Sequence, residues 1–456
     1  MSVWYFSELI RDYSISAPMR QAIHASWVVP VHPRGTVLQD HTVVIESGVI
    51  SALMPRAQWQ GEAEEIDCAG HALMPGMINT HTHAAMSLFR GLADDLPLQV
   101  WLEQHIWPTE AMVVGRDFVR DGTRLAAAEM LLSGTTCFND MYFFGDEAAS
   151  AAIEVGIRAV IGMIVIGFPS AWAADVDEYF RKGQAIHDQY RSHPLIRTSF
   201  SPHAPYTVDD AALKRVVTLS NELEVPVQIH LHETAAEVEQ AVQETGARPL
   251  SRLAGLGLLT PQLIAVHMTQ LTHAEIDQLS ETGVNVVHCP ESNLKLASGH
   301  CPTAQLVAAG VNVALGTDGA ASNNDHDMFG EMKTAALVGK GLAADASALP
   351  AEDVLAMATL NGARALGLDD QLGSIEVGKQ ADLVALDMRS VATQPVHNPL
   401  SQIVYSAGRD GVRHVWVAGR RVVNNRNLTT IDEETAIASA IDWHERITAR
   451  KNDPSD

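Results

Sequence analysis

The stretch Leu73–Leu88, LMPGMINTHTHAAMSL, is the part of the sequence around which the other motifs are arranged. It is apolar through Ile78 and then places His81 and His83 two residues apart. Side chains at i and i+2 of a β-strand project from the same face, so these imidazoles are placed to share a metal ion such as Zn²⁺ or Fe²⁺. The pair alone is a weak signal, because ordinary polar residues at a strand end look the same. Its meaning depends on the rest of the chain.

Strand-like apolar runs alternate with helix-like runs through the middle of the chain, from about residue 73 to residue 372. Eight such βα repeats predict an α/β fold, a TIM-like (β/α)8 barrel. A doubly wound open sheet is the alternative, but no G-x-G-x-x-G follows the first strand. The predicted strands begin at Leu73, Thr135, Arg158, Ile196, Val225, Leu263, Val284 and Val311.

Short β segments flank this pattern at both chain ends, for example HTVVIESGVISAL before it and GVRHVWVAGRRVV after it. Their alternating apolar residues and glycine-containing turns indicate antiparallel strands. We predict that the two ends pair into one small β-sandwich domain. The predicted division assigns residues 1–72 and 373–456 to the sandwich, with a terminal helix, and residues 73–372 to the barrel.

Composition narrows the classes of partner and the compartment. The chain has 456 residues, 55 acidic and 31 basic, giving a net charge of −24 that argues against nucleic-acid and anionic-membrane binding. Its four cysteines contain no C-x-x-C pair, which fits a reducing cytoplasm. The first residues, MSVWYFSELIRDYS, lack the apolar core of a signal peptide, and no apolar run is long enough to cross a membrane. We therefore predict a cytoplasmic enzyme.

Histidines recur where the predicted barrel strands end, which is where active sites of such barrels lie. The chain has 20 histidines, and a chance distribution would not place so many of them at strand ends. An aspartate ends the eighth strand. Besides the first pair, these residues are His203, His230, His232, His267, His288 and Asp318.

Three nitrogens and one carboxylate, from His81, His83, His230 and Asp318, make a sound ligand set for one divalent metal with room for water. Glu233 follows the fifth strand and is the candidate general acid, although a helix N-terminus also favours an acidic residue.

Further residues of the strand ends complete the predicted site. His267 would orient the water, and Asp318 would also accept its proton. His232 should face away from the barrel interior, and His288 stays ambiguous. Strands three and four contain no lysine that could be carboxylated to bridge two metals, so we predict a mononuclear site.

The motifs PGMINTHTHAAMSLFRGLADDLPLQVWL, SPHAPYT, HLHE, VHM and GTDGAASNN stand in one order along nearly the whole chain. This combination resembles the amidohydrolase superfamily, specifically its 5′-methylthioadenosine/S-adenosylhomocysteine deaminases. The resemblance implies an adenosine-type small-molecule substrate, one Zn²⁺ per chain and hydrolytic loss of ammonia from adenine C6.

The same resemblance implies roles for residues outside the metal ligands. Glu110 matches a position that binds the ribose hydroxyls, and two neighbouring hydroxyls can donate to one carboxylate. His203 matches a substrate contact near the ring and ribose. Trp101 is a candidate apolar wall for the sulfur substituent, and Ser322 is a further candidate contact.

One departure concerns the substrate's tail. Family members that accept S-adenosylhomocysteine carry arginines after strand three, whereas the segment around Met163, GMIVIGFPSAWAAD, has none before Arg181. We therefore expect a preference for methylthioadenosine. Other ring substrates such as guanine, 8-oxoguanine or a triazine are the alternative within enzymes, and a non-catalytic scaffold is the alternative outside them. A homo-oligomer is left open.

Overall fold

Two eight-stranded sheets contain all the named strands among residues 20–451, the part of the chain that the computed structural model describes. The N-terminal segment on which the signal-peptide prediction depends lies outside this range. One sheet is the parallel barrel and the other is a mixed sheet built from both chain ends, so the predicted fold class is confirmed.

The barrel strands follow one another in chain order, each parallel to the next. Every residue of most of these strands is buried, as expected where a parallel sheet is covered on both faces. The backbone N–H of Asp318 donates to the carbonyl of His81 at 3.0 Å and so joins the last strand to the first. The strands are β5 Met77–Thr82, β6 Thr135–Asp140, β7 Arg158–Val165, β8 Ile196–Pro202, β9 Val227–Leu231, β10 Leu263–His267, β11 Asn285–His288 and β12 Val313–Leu315.

Helices connect these strands and continue after the last of them, and several begin where a polar side chain accepts a backbone N–H of the first turn. They are α1 Leu98–Trp101, α2 Trp107–Val113, α3 Arg116–Leu132, α4 Gly145–Val155, α5 Val176–Tyr190, α6 Asp210–Leu223, α7 Ala235–Thr245, α8 Pro249–Gly255, α9 His273–Thr282, α10 Pro290–Lys295, α11 Thr303–Ala308, α12 Met328–Ala343, α13 Ala351–Met357, α14 Leu360–Ala365, α15 Pro399–Tyr405 and α16 Glu433–Lys451. A π-helical turn, Leu102–Ile106, joins α1 to α2.

The mixed sheet has the order β16-β15-β14-β13-β4-β1-β2-β3, in which only β1 and β4 are parallel neighbours. It has an apolar core of its own, which includes Ile23, Val43 and Trp416. The first four strands are β1 Gln21–Val28, β2 Leu38–Glu46, β3 Val49–Pro55 and β4 Glu64–Pro75. The last four are β13 Leu383–Asp387, β14 Val412–Val417, β15 Arg420–Asn424 and β16 Asn427–Leu428.

Two features tie the mixed sheet to the barrel. Gly76 alone separates β4 from β5, and a side chain at this position would collide with Thr136 of the barrel. The guanidinium of Arg158, in β7, pairs with the carboxylate of Asp382 at 2.7 Å, and both side chains are buried. The first strand of the barrel is therefore held in register with the mixed sheet. No helix among residues 20–451 is both long enough and apolar enough to span a bilayer.

Candidate metal centre and substrate cavity

The imidazoles of His81, His83 and His230 converge at the C-terminal end of the barrel. His81 lies in β5, His83 directly follows it and His230 lies in β9. One potential ligand atom of each lies within 4.8 Å of the others. Oδ1 of Asp318, after β12, lies 3.2 Å from Nε2 of His83 and 3.5 Å from Nε2 of His81. The four predicted ligands therefore meet at one point.

The other ring nitrogen of each histidine, Nδ1, faces an oxygen acceptor. An oxygen acceptor keeps the proton on Nδ1, so the unprotonated Nε2 atoms point to the common centre, as in metal-binding histidines. The donor set and its tautomers thus fit Zn²⁺. The acceptors are Oε1 of Gln228 for His81 at 3.2 Å, the carbonyl of Met141 for His83 at 2.6 Å and the carbonyl of His203 for His230 at 2.8 Å.

Asp318 is held from both sides. The hydroxyls of Ser292 and Ser322 each donate to its Oδ2 at 2.7 Å, and the N–H of Gly319 donates to Oδ1 at 2.8 Å. Its backbone is left-handed, with φ of 63°, which a non-glycine residue adopts at a cost and often at functional sites. Burial alone would raise the pKa of Asp318, but the adjacent imidazoles of His81 and His83 hold it well below its usual value. The side chain is therefore ionised.

Glu233 and His267 stand beside the ligand cluster. Nε2 of His267 lies 3.8 Å from Oε2 of Glu233, and its Nδ1 pairs with Oδ1 of Asn293 at 2.9 Å. Burial, with the nearby charge of Asp318, raises the pKa of Glu233 to about 8. At neutral pH this carboxylic acid holds a proton that it can donate.

A cavity of about 490 Å³ opens from the ligand cluster and is lined by Glu110, His203, Trp101 and Ser322, the predicted substrate contacts. The hydroxyl of Tyr142 donates to Oε1 of Glu110 at 2.6 Å. Burial raises the pKa of Glu110 to about 7, although the bond from Tyr142 opposes this rise. A carboxylate in the wall of a buried cavity can accept hydrogen bonds from a ligand with little competition from water.

Part of the cavity is apolar. Its walls include Trp107, Phe168 and Ile166, and the rings of Trp107 and Phe168 lie 6.5 Å apart. No lysine or arginine is among the residues that line this cavity within the described chain. Arg181, on α5, is exposed and pairs with Glu178 at 3.0 Å. The cavity thus offers no cation to an anionic tail.

Two histidines of the strand ends lie outside the cavity walls. Both ring nitrogens of His232 are used by backbone groups, the N–H of Leu250 at 3.1 Å and the carbonyl of Gln270 at 3.1 Å. His288 is buried and does not line the cavity. Ser322 lines it, but its hydroxyl is engaged by Asp318.

Sequence reasoning missed the residues that hold the predicted ones in place. No motif marks them, because their partners come from other strands and loops. The only sequence feature that could have pointed to them is an amide or hydroxyl side chain near the end of a barrel strand, and such side chains are common. These residues are Tyr142, Gln228, Ser292, Asn293 and Ser298.

Comparison with known proteins agrees with this geometry. A model of the amidohydrolase family matches residues 72–422. A 5-methylthioadenosine/S-adenosylhomocysteine deaminase of Teredinibacter turnerae is 53% identical over 433 residues, covering 94% of this chain and 98% of the relative. A counterpart from Saccharophagus degradans is 48% identical, covering 95% and 98%.

Solved structures give the same result. A crystal structure of an adenosine deaminase from Xanthomonas campestris with bound zinc superposes with a TM-score of 0.93 at 53% identity, over 95% of this chain and 99% of that one. An atrazine chlorohydrolase from Arthrobacter aurescens, at 23% identity and a TM-score of 0.87 over 93% and 99% of the two chains, shares the fold. The chain belongs to the amidohydrolase family, and within it to the 5-methylthioadenosine/S-adenosylhomocysteine deaminases.

Proposed function

We propose that this protein is a zinc-dependent hydrolase that deaminates the adenine ring of 5′-methylthioadenosine, giving 5′-methylthioinosine and ammonia. The observation that carries the proposal is the conjunction, in one cavity, of three converging imidazoles with Asp318, of the buried Glu233 beside them, and of Glu110 in the wall. The zinc-bound adenosine deaminase at 53% identity supports the choice of metal and of ring. Fe²⁺ is the alternative metal, because the same ligands suit it.

His81, His83, His230 and Asp318 would hold the metal. Zn²⁺, when bound in such a site, lowers the pKa of water toward neutrality and so supplies the nucleophile. Asp318 and His267 are the proton acceptors for that water, because Asp318 is ionised and His267 presents Nε2 toward Glu233.

Glu233 would give its proton to the ring nitrogen next to C6 as the water oxygen adds to that carbon. A further proton must reach the exocyclic amine so that it leaves as ammonia, while the new C6–O bond becomes the carbonyl. Glu233 would relay this proton as well, because it would regain one from the water by way of His267, whose Nε2 lies 3.8 Å from Oε2 of Glu233. Atoms balance: adenine ring plus water gives the hypoxanthine ring plus ammonia.

Glu110 would bind the ribose of the nucleoside, and the apolar part of the cavity wall would bind its 5′ tail. Without a ribose, the oxygen of Glu110 that Tyr142 does not bind would stay desolvated and without a donor, which disfavours free guanine or 8-oxoguanine as substrate. The apolar walls suit a methylthio group. The zwitterionic tail of S-adenosylhomocysteine would enter the same region without a cation to pair its carboxylate. We therefore propose the order methylthioadenosine before S-adenosylhomocysteine.

We also infer a cytoplasmic location. All four cysteines are free and buried, which supports a reducing compartment. The net charge of −24 supports a small-molecule enzyme without a nucleic-acid partner.

Ammonia release from purified, zinc-loaded protein tests the proposal. Methylthioadenosine, S-adenosylhomocysteine, adenosine, guanine and a triazine should be compared at equal concentration, with methylthioadenosine expected to be fastest. Glu233→Gln should keep its zinc and fold but lose at least about 10² in kcat, the usual scale for general acid–base catalysis. Zinc-loaded protein that releases ammonia from none of these compounds would favour the non-catalytic scaffold. Preference for S-adenosylhomocysteine would instead contradict the tail assignment alone.

A further inference from the structure

The turn that carries Glu233 is held by a second carboxylate. Oε1 of Glu237 accepts the backbone N–H of His232 at 3.2 Å, and Oε2 accepts the backbone N–H of Glu233 itself at 2.7 Å. Each oxygen of the carboxylate thus binds one of two successive N–H groups. Carboxyl oxygens are good acceptors for such N–H groups.

This arrangement goes beyond an ordinary helix start. In a capping box, the glutamate at the third helical position accepts the N–H of the capping residue, as Glu275 does for Thr272 at 2.8 Å in α9. Glu237 holds the equivalent position in α7, where Thr234 is the capping residue. Its carboxylate, however, reaches back beyond Thr234 to the two residues that precede it.

The backbone of the turn explains why one carboxylate can bind both groups. His232 is left-handed, with φ of 52°. Successive N–H groups around a left-handed residue converge and form a small anion-binding concavity. Such a backbone costs a non-glycine residue free energy, and the two hydrogen bonds to Glu237 offset part of that cost.

The side chain of Glu233 has fewer constraints of its own. The hydroxyl of Ser298 lies 3.4 Å from its Oε1, and Nε2 of His267 lies 3.8 Å from its Oε2. Its residue lies two positions beyond the end of β9, outside the strand pairing that fixes His230. The geometry of the turn therefore sets where the proton of Glu233 is delivered.

We propose that Glu237 is a positioning residue that fixes the direction of Glu233 toward the substrate ring. The inference rests on the proposed function of Glu233 as proton donor. The hydrogen bonds of Glu237 given above join it to His232, Glu233 and Thr234, none of which is a predicted metal ligand, so we expect its effect on the chemical step. A misplacement of about 1 Å in a reacting group can cost roughly a hundredfold in rate.

The decisive variant is Glu237→Gln. It preserves the length of the side chain, but its amide offers one acceptor oxygen, so one of the two N–H groups would face an NH₂ donor. We expect kcat with methylthioadenosine to fall about ten- to a hundredfold, with KM changed less than about twofold and zinc content unchanged.

Two control variants separate positioning from stability. Glu239→Gln makes the same chemical change two residues along α7, at an exposed position, and should keep wild-type kcat and Tm. Thr234→Ala removes the ordinary cap of α7, whose hydroxyl accepts the N–H of Glu237 at 3.1 Å. It should lower Tm while leaving kcat within about twofold of wild type.

Each possible result of these experiments either supports the inference or overturns it. Wild-type-like kcat in folded, zinc-loaded Glu237→Gln protein would overturn the inference and leave the proposed function intact. An equal loss of kcat in Thr234→Ala would also overturn the inference, because the loss in both variants would then follow from a less stable α7. Loss of zinc with kcat per bound zinc unchanged would assign Glu237 to the metal site instead. A wild-type enzyme that deaminates no adenosine analogue would overturn the proposed function first, and this inference with it.

Discussion

The hydroxyl of Tyr142 donates a hydrogen bond to Oε1 of Glu110 over 2.6 Å, in the wall of the cavity that opens on the metal-ligand cluster. Tyr142 follows β6, whereas Glu110 lies in α2, so the contact joins two segments separated by 32 residues. The bond occupies one carboxylate oxygen and leaves the other for a ligand. Tyr142 therefore decides which way Glu110 faces.

Tyr142→Phe should weaken nucleoside binding. Losing a hydrogen bond to a charged group costs about 1.5–3 kcal/mol, or roughly ten- to a hundredfold. We expect KM for methylthioadenosine to rise by a factor in this range while kcat changes little, because the reacting ring is not touched. Steady-state kinetics would measure both constants. Unchanged KM would mean that Glu110 keeps its orientation without Tyr142.

Glu110→Gln should depress kcat/KM for methylthioadenosine and leave 2′,3′-dideoxy analogues nearly unaffected. The amide is a weaker acceptor than the carboxylate for ribose hydroxyls, with an expected loss of about ten- to a hundredfold. The dideoxy substrate serves as the internal control, since it has no hydroxyls to donate. Equal losses on both substrates would remove Glu110 from ribose recognition.

The pH dependence of kcat should report Glu233. Its pKa is raised to about 8 by burial and by the charge of Asp318. The group therefore keeps its proton below about pH 8 and loses it above, so kcat should fall on the alkaline side, approaching tenfold per pH unit. Ammonia release at saturating substrate between pH 6 and 10 would measure this, with zinc content checked at each pH. A flat profile to pH 10 would contradict the assignment of Glu233 as the acid.

Metal content should be one zinc per chain. His81→Ala removes a ligand whose position is fixed by Gln228, so it should lose both zinc and activity. His273→Ala, at an exposed histidine that starts α9, is the matched control and should retain both. Elemental analysis and ammonia release on the same samples would test this. Two metals per active chain would contradict the mononuclear site.

Breaking the buried pair of Arg158 and Asp382 should destabilise the fold strongly. Breaking a buried ion pair by removing one partner typically costs about 3–5 kcal/mol, because the other charge stays buried. Arg158→Met should therefore lower the urea midpoint strongly. The exposed pair Arg446–Asp442, at 2.6 Å, is the control, and Arg446→Met should cost less than about 1 kcal/mol. Similar shifts of the urea midpoint for the two variants would mean that the buried pair matters no more to stability than the exposed one.

The amino-acid pattern correctly predicts the order of the elements and the carboxyl ends of the barrel strands, although the first barrel strand begins at Met77 and not at Leu73, which lies in β4. Buried parallel strands are read as apolar runs, and this signal is local. The rule that active sites lie at the carboxyl ends of barrel strands then brings His81, His230 and Asp318 together without coordinates. Their spacing along the chain is large, yet each lies at an end that the pattern marks. The structure confirms the fold class and gathers these side chains at one point.

The groups that hold the site residues in place follow only from the three-dimensional packing of the chain. Tyr142 meets Glu110 and Asn293 meets His267 across loops, and no period or spacing links them. The acceptor for Nδ1 of His83 is a backbone carbonyl, that of Met141, and a carbonyl carries no side-chain signal in a sequence. The pairing of β4 with β13 likewise joins segments more than 300 residues apart, such as Pro75 and Leu383. Such contacts depend on the packing of the whole barrel, so local patterns cannot encode them.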